Sequence, residues 1–368
     1  MSNTFGSLFR VTTFGESHAK GLGVVLDGCP AGLEIGVRTI QDQLDRRKPG
    51  QSKITTPRKE SDQVEILSGI FQGRTLGTPI GMVIYNQDQR PGAYEDLKDL
   101  YRPGHADYTY DQRYGFRDFR GGGRASNRET AGRVAAGAIA AKMIEELAGM
   151  KTLAWVEQVH RICAEIDHET VKFDEVESNI VRCPDEKVAS EMIKAIEKAK
   201  KDGNSLGGKI RFRVAPVVAG LGAPVFDKLT AEIAKALMSI PATRSVGFGL
   251  AGKAIELTGL EHNDAFVLKE GGKAGTLTNN AGGVLGGISN GEPIYGEVTF
   301  KPTATLSSLQ KTLTTDLTPV EFKARGRHDP CVLPRAVPIV EAMINLVLAD
   351  HCLRYSVASM ARLKKVFS

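Results

Sequence analysis

The sequence predicts an α+β fold, and three observations carry that prediction. Apolar and basic residues alternate with period two through Ile210-Arg211-Phe212-Arg213-Val214, which suits a strand with one wet face. Helix signals stand beside it: a Ser-x-x-Glu capping box at Ser126-Asn127-Arg128-Glu129 and an amphipathic run over 185–201 that ends near Gly203. Strand and helix segments mix without a strict β-α-β rhythm, which disfavours a doubly wound parallel sheet.

The elements follow along the chain. Strands are predicted at 23–26, 64–67, 80–85, 209–218 and 293–300. Thr39-Ile40-Gln41-Asp42 resembles a capping box and starts a short helix that Pro49-Gly50 stops. The Ser126 box opens a helix that runs over 130–147. Its small residues, Ala131, Gly132, Ala135, Ala136, Gly137, Ala138, Ala140 and Ala141, let neighbouring backbones come close. It is predicted to lie inside a packed layer. Segments 231–239 and 337–355 read as further helices.

Composition bounds the function. The chain has 368 residues, 41% hydrophobic and 25% charged, enough for a large core. No linker rich in Pro, Ser or charge divides it, so residues 1–368 read as a single domain. No apolar run approaches the roughly 20 residues of a membrane helix, and residues 1–10 lack a secretory pattern. A cytoplasmic protein with no membrane partner is the expectation. The five cysteines, Cys29, Cys163, Cys183, Cys331 and Cys352, are scattered and never spaced C-x-x-C, so neither a disulfide framework nor a metal site is expected.

The net charge of +5 is too small to demand a nucleic acid partner, but its distribution is informative. Arg46, Arg47, Lys48, Lys53, Arg58 and Lys59 lie close together, and arginines recur from Arg102 to Arg133. The latter interleave with glycine and histidine, a pattern of anion sites more than of plain solvated surface. Arg120-Gly121-Gly122-Gly123-Arg124 runs into the helix that starts at Ser126. A glycine loop entering a helix start offers N–H groups and a positive dipole end. It is read as the best anion or cofactor-phosphate site, against the plainer reading of a loop that only caps a helix.

His18, after Glu16-Ser17, and His105, after Arg102-Pro103-Gly104, lie in polar, glycine-flanked loops. A histidine can donate or accept a proton near neutral pH. Arg325-Gly326-Arg327-His328-Asp329-Pro330 places a carboxylate among cations, where it should stay ionised. Other motifs fail. Gly247 to Ala254 nearly matches a P-loop but ends in Ala254, without the hydroxyl that binds magnesium. Gly220-Leu221-Gly222 lacks the rest of a dinucleotide fingerprint, and no G-x-S-x-G elbow is present.

Taken in order, these segments resemble the chorismate synthase family over nearly the whole chain. The resemblance rests on Phe9 to His18, Leu44 to Gly50, Arg102 to Tyr108, Gly121 to Arg128, Asn280 to Ser289, Lys301-Pro302-Thr303 and Gly326 to Glu341. Two positions depart from it. Ala19 stands where glycine is usual, and Asn127 where a small Ala or Gly is usual.

The resemblance implies a β-α-β sandwich, with helices between antiparallel sheets, assembled as a homotetramer. It implies 1,4-anti elimination of phosphate from 5-enolpyruvylshikimate 3-phosphate to give chorismate, in the shikimate pathway that leads to aromatic amino acids. Reduced FMN is required although no net redox change occurs. His105 would protonate the reduced flavin near N1, His18 the departing phosphate, and Asp329 would help move the proton at flavin N5. Arg124, Ala125, Ser126, Pro241, Ala242, Gly286, Lys301, Pro302, Thr303, Ala304, Thr305 and Arg327 match flavin-contacting positions. Arg47 and Lys53 match positions assigned to NADP, and could equally bind the substrate's anions. Flavin would be reduced with NADPH by the chain itself or by an external flavin reductase; the lack of a separate reductase segment favours the latter. Two other readings stand against this one: a flavin reductase-like flavoenzyme, and an RNA-binding module built on the basic runs and Tyr108, Tyr110, Tyr114, Phe116 and Phe119.

Overall fold

Alternation and helix periodicity sort the chain into two sheets with helices between them. The computed structural model describes residues 3–56, 58, 60–88, 95, 97–324 and 329–368. The first sheet has five strands in the spatial order Thr4–Phe5, Arg10–Gly15, Gly21–Asp27, Ile80–Tyr85 and Val64–Ile66. The second runs Thr243–Phe248, Ile294–Phe300, Gly208–Ala215, Lys151–Val159 and Ile162–Cys163. Every pairing in both sheets is antiparallel. Ile210, Phe212 and Val214 are buried while Arg211 and Arg213 are half-exposed, as the alternation predicts.

Helix Thr130–Ala148 packs on the first sheet and against helix Leu333–Ser356, which packs on the second sheet. The result is sheet, helices, sheet. Small residues make the close crossing possible. A Cβ added at Gly137 would lie 2.4 Å from Cβ of Ala342, so a larger residue there would push the helices apart. One hydrophobic core joins both helices to both sheets.

Helix Leu333–Ser356 is long and apolar enough to cross a membrane by length and composition, which the sequence reading did not anticipate. In the fold, 89% of its apolar window is buried inside the protein. Two acidic residues, Glu341 and Asp350, interrupt the apolar run and are hydrogen-bonded within the core. Glu341 accepts the N–H of Ala154 at 3.0 Å and pairs with Arg46 at 2.6 Å. Asp350 accepts the N–H groups of Ser7, Leu8 and Phe9 at 3.0, 2.6 and 2.9 Å, which anchors the N-terminal segment. Buried polar groups are tolerated on these terms.

Helix ends differ in detail from the sequence reading. The first helix is Val37–Arg47 and starts after Gly36 with no side-chain cap, so the Thr39 box does not form. Ser126 does act as a cap, accepting the N–H of Arg128, but 127–129 is a 3-10 turn. Glu129 turns away to accept from Thr13 Oγ1 at 2.6 Å and Arg133 at 2.8 Å. Asp185 caps Glu186–Lys201 by accepting the N–H of Val188 at 2.9 Å. Strands Arg10–Gly15, Lys151–Val159 and Thr243–Phe248 and helix Asp107–Tyr114 were not predicted. Lys151–Val159 is buried on both faces along its middle, so it shows no alternation.

Candidate active site

Segments far apart in sequence close around one cavity of about 560 Å³, within the usual range for small-molecule sites. Its wall includes Ser17 and His18, Thr56 and Arg58, Arg102 with Gly104 to Ala106, Gly121 to Arg128 in part, Pro241 to Arg244 in part, Lys301 with Thr303 to Thr305, and Asp329 with Arg335.

His18 is set by the turn after strand Arg10–Gly15. Its Nδ1 lies 3.0 Å from Ser17 Oγ, and the ring is buried. Gly121 packs directly on it: a Cβ there would fall 2.4 Å from Nδ1, and Gly121 has φ of +78°. Glycine is required on both counts. Burial, and then the positive charge of Arg58, push the His18 pKa down to about 4. An empty site at neutral pH therefore holds a neutral imidazole.

His105 is set by the loop before helix Asp107–Tyr114. Its Nδ1 lies 3.0 Å from Asp107 Oδ1. Arg102 grips the same carboxylate through its backbone N–H (3.0 Å), Nε (2.7 Å) and Nη2 (2.6 Å), and Nη2 also donates to the carbonyl of Gly121 at 2.7 Å. Burial alone would raise the Asp107 pKa, but hydrogen bonds from Arg102 and His105 hold it well below the carboxylate range. An ionised Asp107 fixes the proton of His105 on Nδ1 and leaves Nε2 as the ring nitrogen for a ligand.

Asp329 lines the same cavity, at the start of the segment that leads into helix Leu333–Ser356. Its Oδ1 accepts from the N–H of Thr56 at 2.9 Å and its Oδ2 from Arg335 Nη1 at 2.5 Å. Arg335 Nε donates to the carbonyl of Arg47 at 3.1 Å. Behind this wall Asp62 accepts from Arg47 Nη1 at 2.8 Å and from Arg128 Nη1. Burial would raise Asp62, but Arg47 and then Arg128 reverse the sign and hold it down. Arg47 is wholly buried, with its pKa pushed down to about 9 by burial, and its Nε and Nη2 have no hydrogen-bond partner among the described residues.

The structure thus brings His18, His105 and Asp329 to one cavity, with Ala125, Ser126, Pro241, Ala242, Lys301, Thr303, Ala304 and Thr305. Arg124, Gly286, Pro302, Arg47 and Lys53 are not on its wall. Arg124 donates instead to the carbonyls of Gly15 and Thr13 and to Thr13 Oγ1, at 3.1, 3.1 and 2.8 Å. Lys53 is exposed and pairs with Glu197 at 2.5 Å. Gly286 turns the short ribbon Val284–Leu285 and Ile288–Ser289. Arg325 to His328, and with them the expected contact at Arg327, lie outside the described residues.

The glycine loop does face the cavity, but not as a bare helix start flanked by free arginines. Arg120 binds Asp118 at 2.7 Å, and the N–H groups of Ala125, Ser126 and Glu129 bond within the segment. The cations on the wall are Arg58, Arg102, Arg128, Arg244, Lys301 and Arg335. Four of the five arginines stood in segments already singled out; Arg244 carried no sequence signal. Asn127 is also on the wall, and neither its Oδ1 nor its Nδ2 has a hydrogen-bond partner among the described residues. Among the described residues no group of three or more His, Cys, Asp or Glu could hold a metal ion, and all five cysteines are free.

Comparison with known proteins gives one consistent answer. A family model described as chorismate synthase matches residues 9–353. The chain is 56% identical over 354 residues to a chorismate synthase of Prochlorococcus marinus, covering 96% of this chain and 98% of that protein. It is 57% identical over 356 residues to one of Synechococcus elongatus, with the same two coverages, 96% and 98%. A crystal structure of a chorismate synthase superposes with a TM-score of 0.74 at 31% identity, covering 98% of this chain and 97% of that one. Neither the reductase reading nor the RNA-binding reading finds support in these matches.

Proposed function

The chain belongs to the chorismate synthase family, a family of lyases, and from that premise we propose that its cavity eliminates phosphate from 5-enolpyruvylshikimate 3-phosphate to give chorismate, with reduced FMN as cofactor. The observation that carries the reading is the meeting of His18, His105 and Asp329 on one cation-lined cavity.

The residues present fit a flavin. The cavity volume admits a ring system beside a small anion, and the wall is kept low by Gly104, Gly121, Gly122, Ala125, Ala242 and Ala304. When bound, reduced flavin supplies transient electron density and takes up the hydrogen that leaves the substrate, so the overall reaction is redox-neutral. The rest falls to the protein: hold anions, exclude water and manage protons.

His18 is the group for the departing phosphate. In the empty site burial and Arg58 keep it neutral. A phosphate dianion arriving beside it favours the imidazolium, so ester binding itself charges the acid that phosphate loss needs. Arg58, Arg128 and Arg335 line the same cavity and suit the ester's phosphate and carboxylates. Arg47 supports them from behind: it holds Asp62, which binds Arg128, and its carbonyl orients Arg335. Lys53 is exposed, off the cavity wall and paired with Glu197, so it is assigned no direct contact with a ligand in the cavity.

His105 presents Nε2 to the flavin, with Asp107 and Arg102 holding its tautomer. Asp329 is held by Arg335 and the N–H of Thr56, which suits it to accept a proton at the flavin's edge. The same reading carries a cytoplasmic homotetramer supplied with reduced flavin by an external reductase.

Anaerobic phosphate release from the ester tests the proposal. Pre-reduced FMN should support turnover. NADPH with oxidised FMN should not, unless the chain reduces its own flavin. Absence of phosphate release with pre-reduced FMN would reject the function.

A further inference from the structure

One asparagine off the cavity wall holds two groups that are on it. Asn86 follows strand Ile80–Tyr85 and is buried, but it does not line the cavity. Its Nδ2 donates to the carbonyls of Glu16 and Ala19, at 3.1 and 2.8 Å. Those two residues flank Ser17 and His18, and the N–H of Ala19 donates to the same Glu16 carbonyl at 3.2 Å. The amide thus grips both ends of the turn that carries His18. Its Oδ1 accepts from Arg128 Nε at 2.8 Å. The carbonyls can only accept and the guanidinium can only donate, so the amide has one orientation.

The anchor is itself fixed. The N–H of Asn86 donates to the carbonyl of Lys20 at 3.0 Å, and the N–H of Gln87 to Glu60 Oε2 at 2.9 Å. Glu60 also pairs with Arg58 on the wall, at 2.5 Å. Arg128 lines the cavity and is held at two nitrogens, Nε by Asn86 and Nη1 by Asp62. Its Nη2 has no hydrogen-bond partner among the described residues. A guanidinium held at two points keeps its plane for an anion. Asparagine suits the position because it carries donors and an acceptor on one short planar group. Aspartate could serve Arg128 but would set an acceptor against two carbonyls, and alanine would serve neither.

We propose that Asn86 is a positioning residue for the elimination, and that its amide sets the spacing between the proton donor His18 and the cation Arg128. The inference rests on the function proposed above. Phosphate leaves fast only when its acid and its cation meet it in register, and a misplacement of about 1 Å in such a site costs on the order of 10²-fold in rate. Asn86 acts through other residues and lies off the wall, so its loss should fall on phosphate release and spare the flavin.

The test compares the full wild-type chain with Asn86→Ala and Asn86→Asp. Anaerobic single-turnover phosphate release with pre-reduced FMN reads the chemical step, and calorimetry reads the Kd for reduced FMN. Histidine C2-proton exchange, followed by mass spectrometry without ligand, reads the titration of His18. Asn86→Ala should slow phosphate release by about tenfold to 10²-fold and keep the flavin Kd within about twofold of wild type. It should also raise the His18 midpoint from about 4 by about one unit or more, because a slack turn lets water reach the ring. Asn86→Asp keeps an acceptor for Arg128 yet should lose rate as well, and it serves the same comparison if Asn86→Ala does not fold. A wild-type rate in either variant overturns the proposal. So does an unmoved His18 midpoint in Asn86→Ala, or a flavin affinity that falls as far as the rate, which means a general structural role. A wild-type chain that releases no phosphate would instead sink the proposed function, while the His18 midpoint, read without ligand, still decides whether Asn86 holds the turn.

Discussion

Replacing His18 with glutamine should flatten the acid side of the stability curve. The imidazole has an ordinary pKa near 6.5 in the unfolded chain, and in the fold burial and Arg58 bring it down to about 4. The sign follows from linkage. Between those two values the unfolded chain binds a proton that the folded chain refuses, so stability falls as pH drops. The contribution is fully present above about pH 6.5 and is lost through the window down to about 4. A single site with these two values costs about 2 kcal/mol between pH 7 and pH 5. His168 and His351 are also lowered by burial, and Asp62 and Asp107 are held down by their arginines, so the wild type loses more than this in acid. Those groups are shared with His18→Gln, and the difference between the two proteins isolates His18. Urea unfolding of both, without ligand, at half-unit steps from pH 7.5 to 4.5 supplies that difference. The wild type should lose about 2 kcal/mol relative to the variant between pH 7 and 5. Parallel curves would show that His18 titrates normally in the fold, and the account of a neutral acid awaiting its phosphate would fall with them.

Three further outcomes follow from the same geometry. Asp107→Asn should leave flavin affinity nearly unchanged but lower kcat by about 10²-fold or more, because His105 loses the partner that holds its proton on Nδ1; equal turnover in a single-turnover assay would refute this. Arg47→Ala should destabilise the fold by about 3–5 kcal/mol, because it leaves Asp62 in the core with one partner fewer; a denaturation midpoint within error of wild type would place the pair outside the folding balance. Asn127→Ala should hold or raise stability, by up to about 1–3 kcal/mol, since the amide has no partner among the described residues; a clear loss of thermal stability would mean the amide is satisfied in solution.

Legibility in the sequence followed physical range. Elements stabilised within a few residues could be read: the alternation at Ile210 to Val214, the amphipathic helix over 185–201, and the glycine- and alanine-rich helix Thr130–Ala148. Elements stabilised across the fold could not. Lys151–Val159 lacks a wet face, and helix Asp107–Tyr114 is short and polar. The site divides the same way. His18, His105 and Asp329 stood out because each lies in an ordered motif of glycine and charge. Arg244 did not, because it sits where strand Thr243–Phe248 shifts register against Ile294–Phe300, and such a β-bulge is defined by the opposite strand. Arg124 and Arg47 were expected at ligands and point elsewhere, since a motif names a residue without saying where its side chain finds its bonds.

By itself, the sequence determined the family, the layered α+β architecture and the three groups that meet at the cavity, because these rest on local patterning and on motifs in a fixed order. Only the tertiary structure decided which cations face the cavity and which are consumed behind it, and what form His18 takes in the empty site. Those properties are sums over neighbours that the chain brings together from distances of up to some hundreds of residues, such as Thr56 and Asp329 at a sequence separation of 273. Burial and charge act through space, and no stretch of sequence contains them.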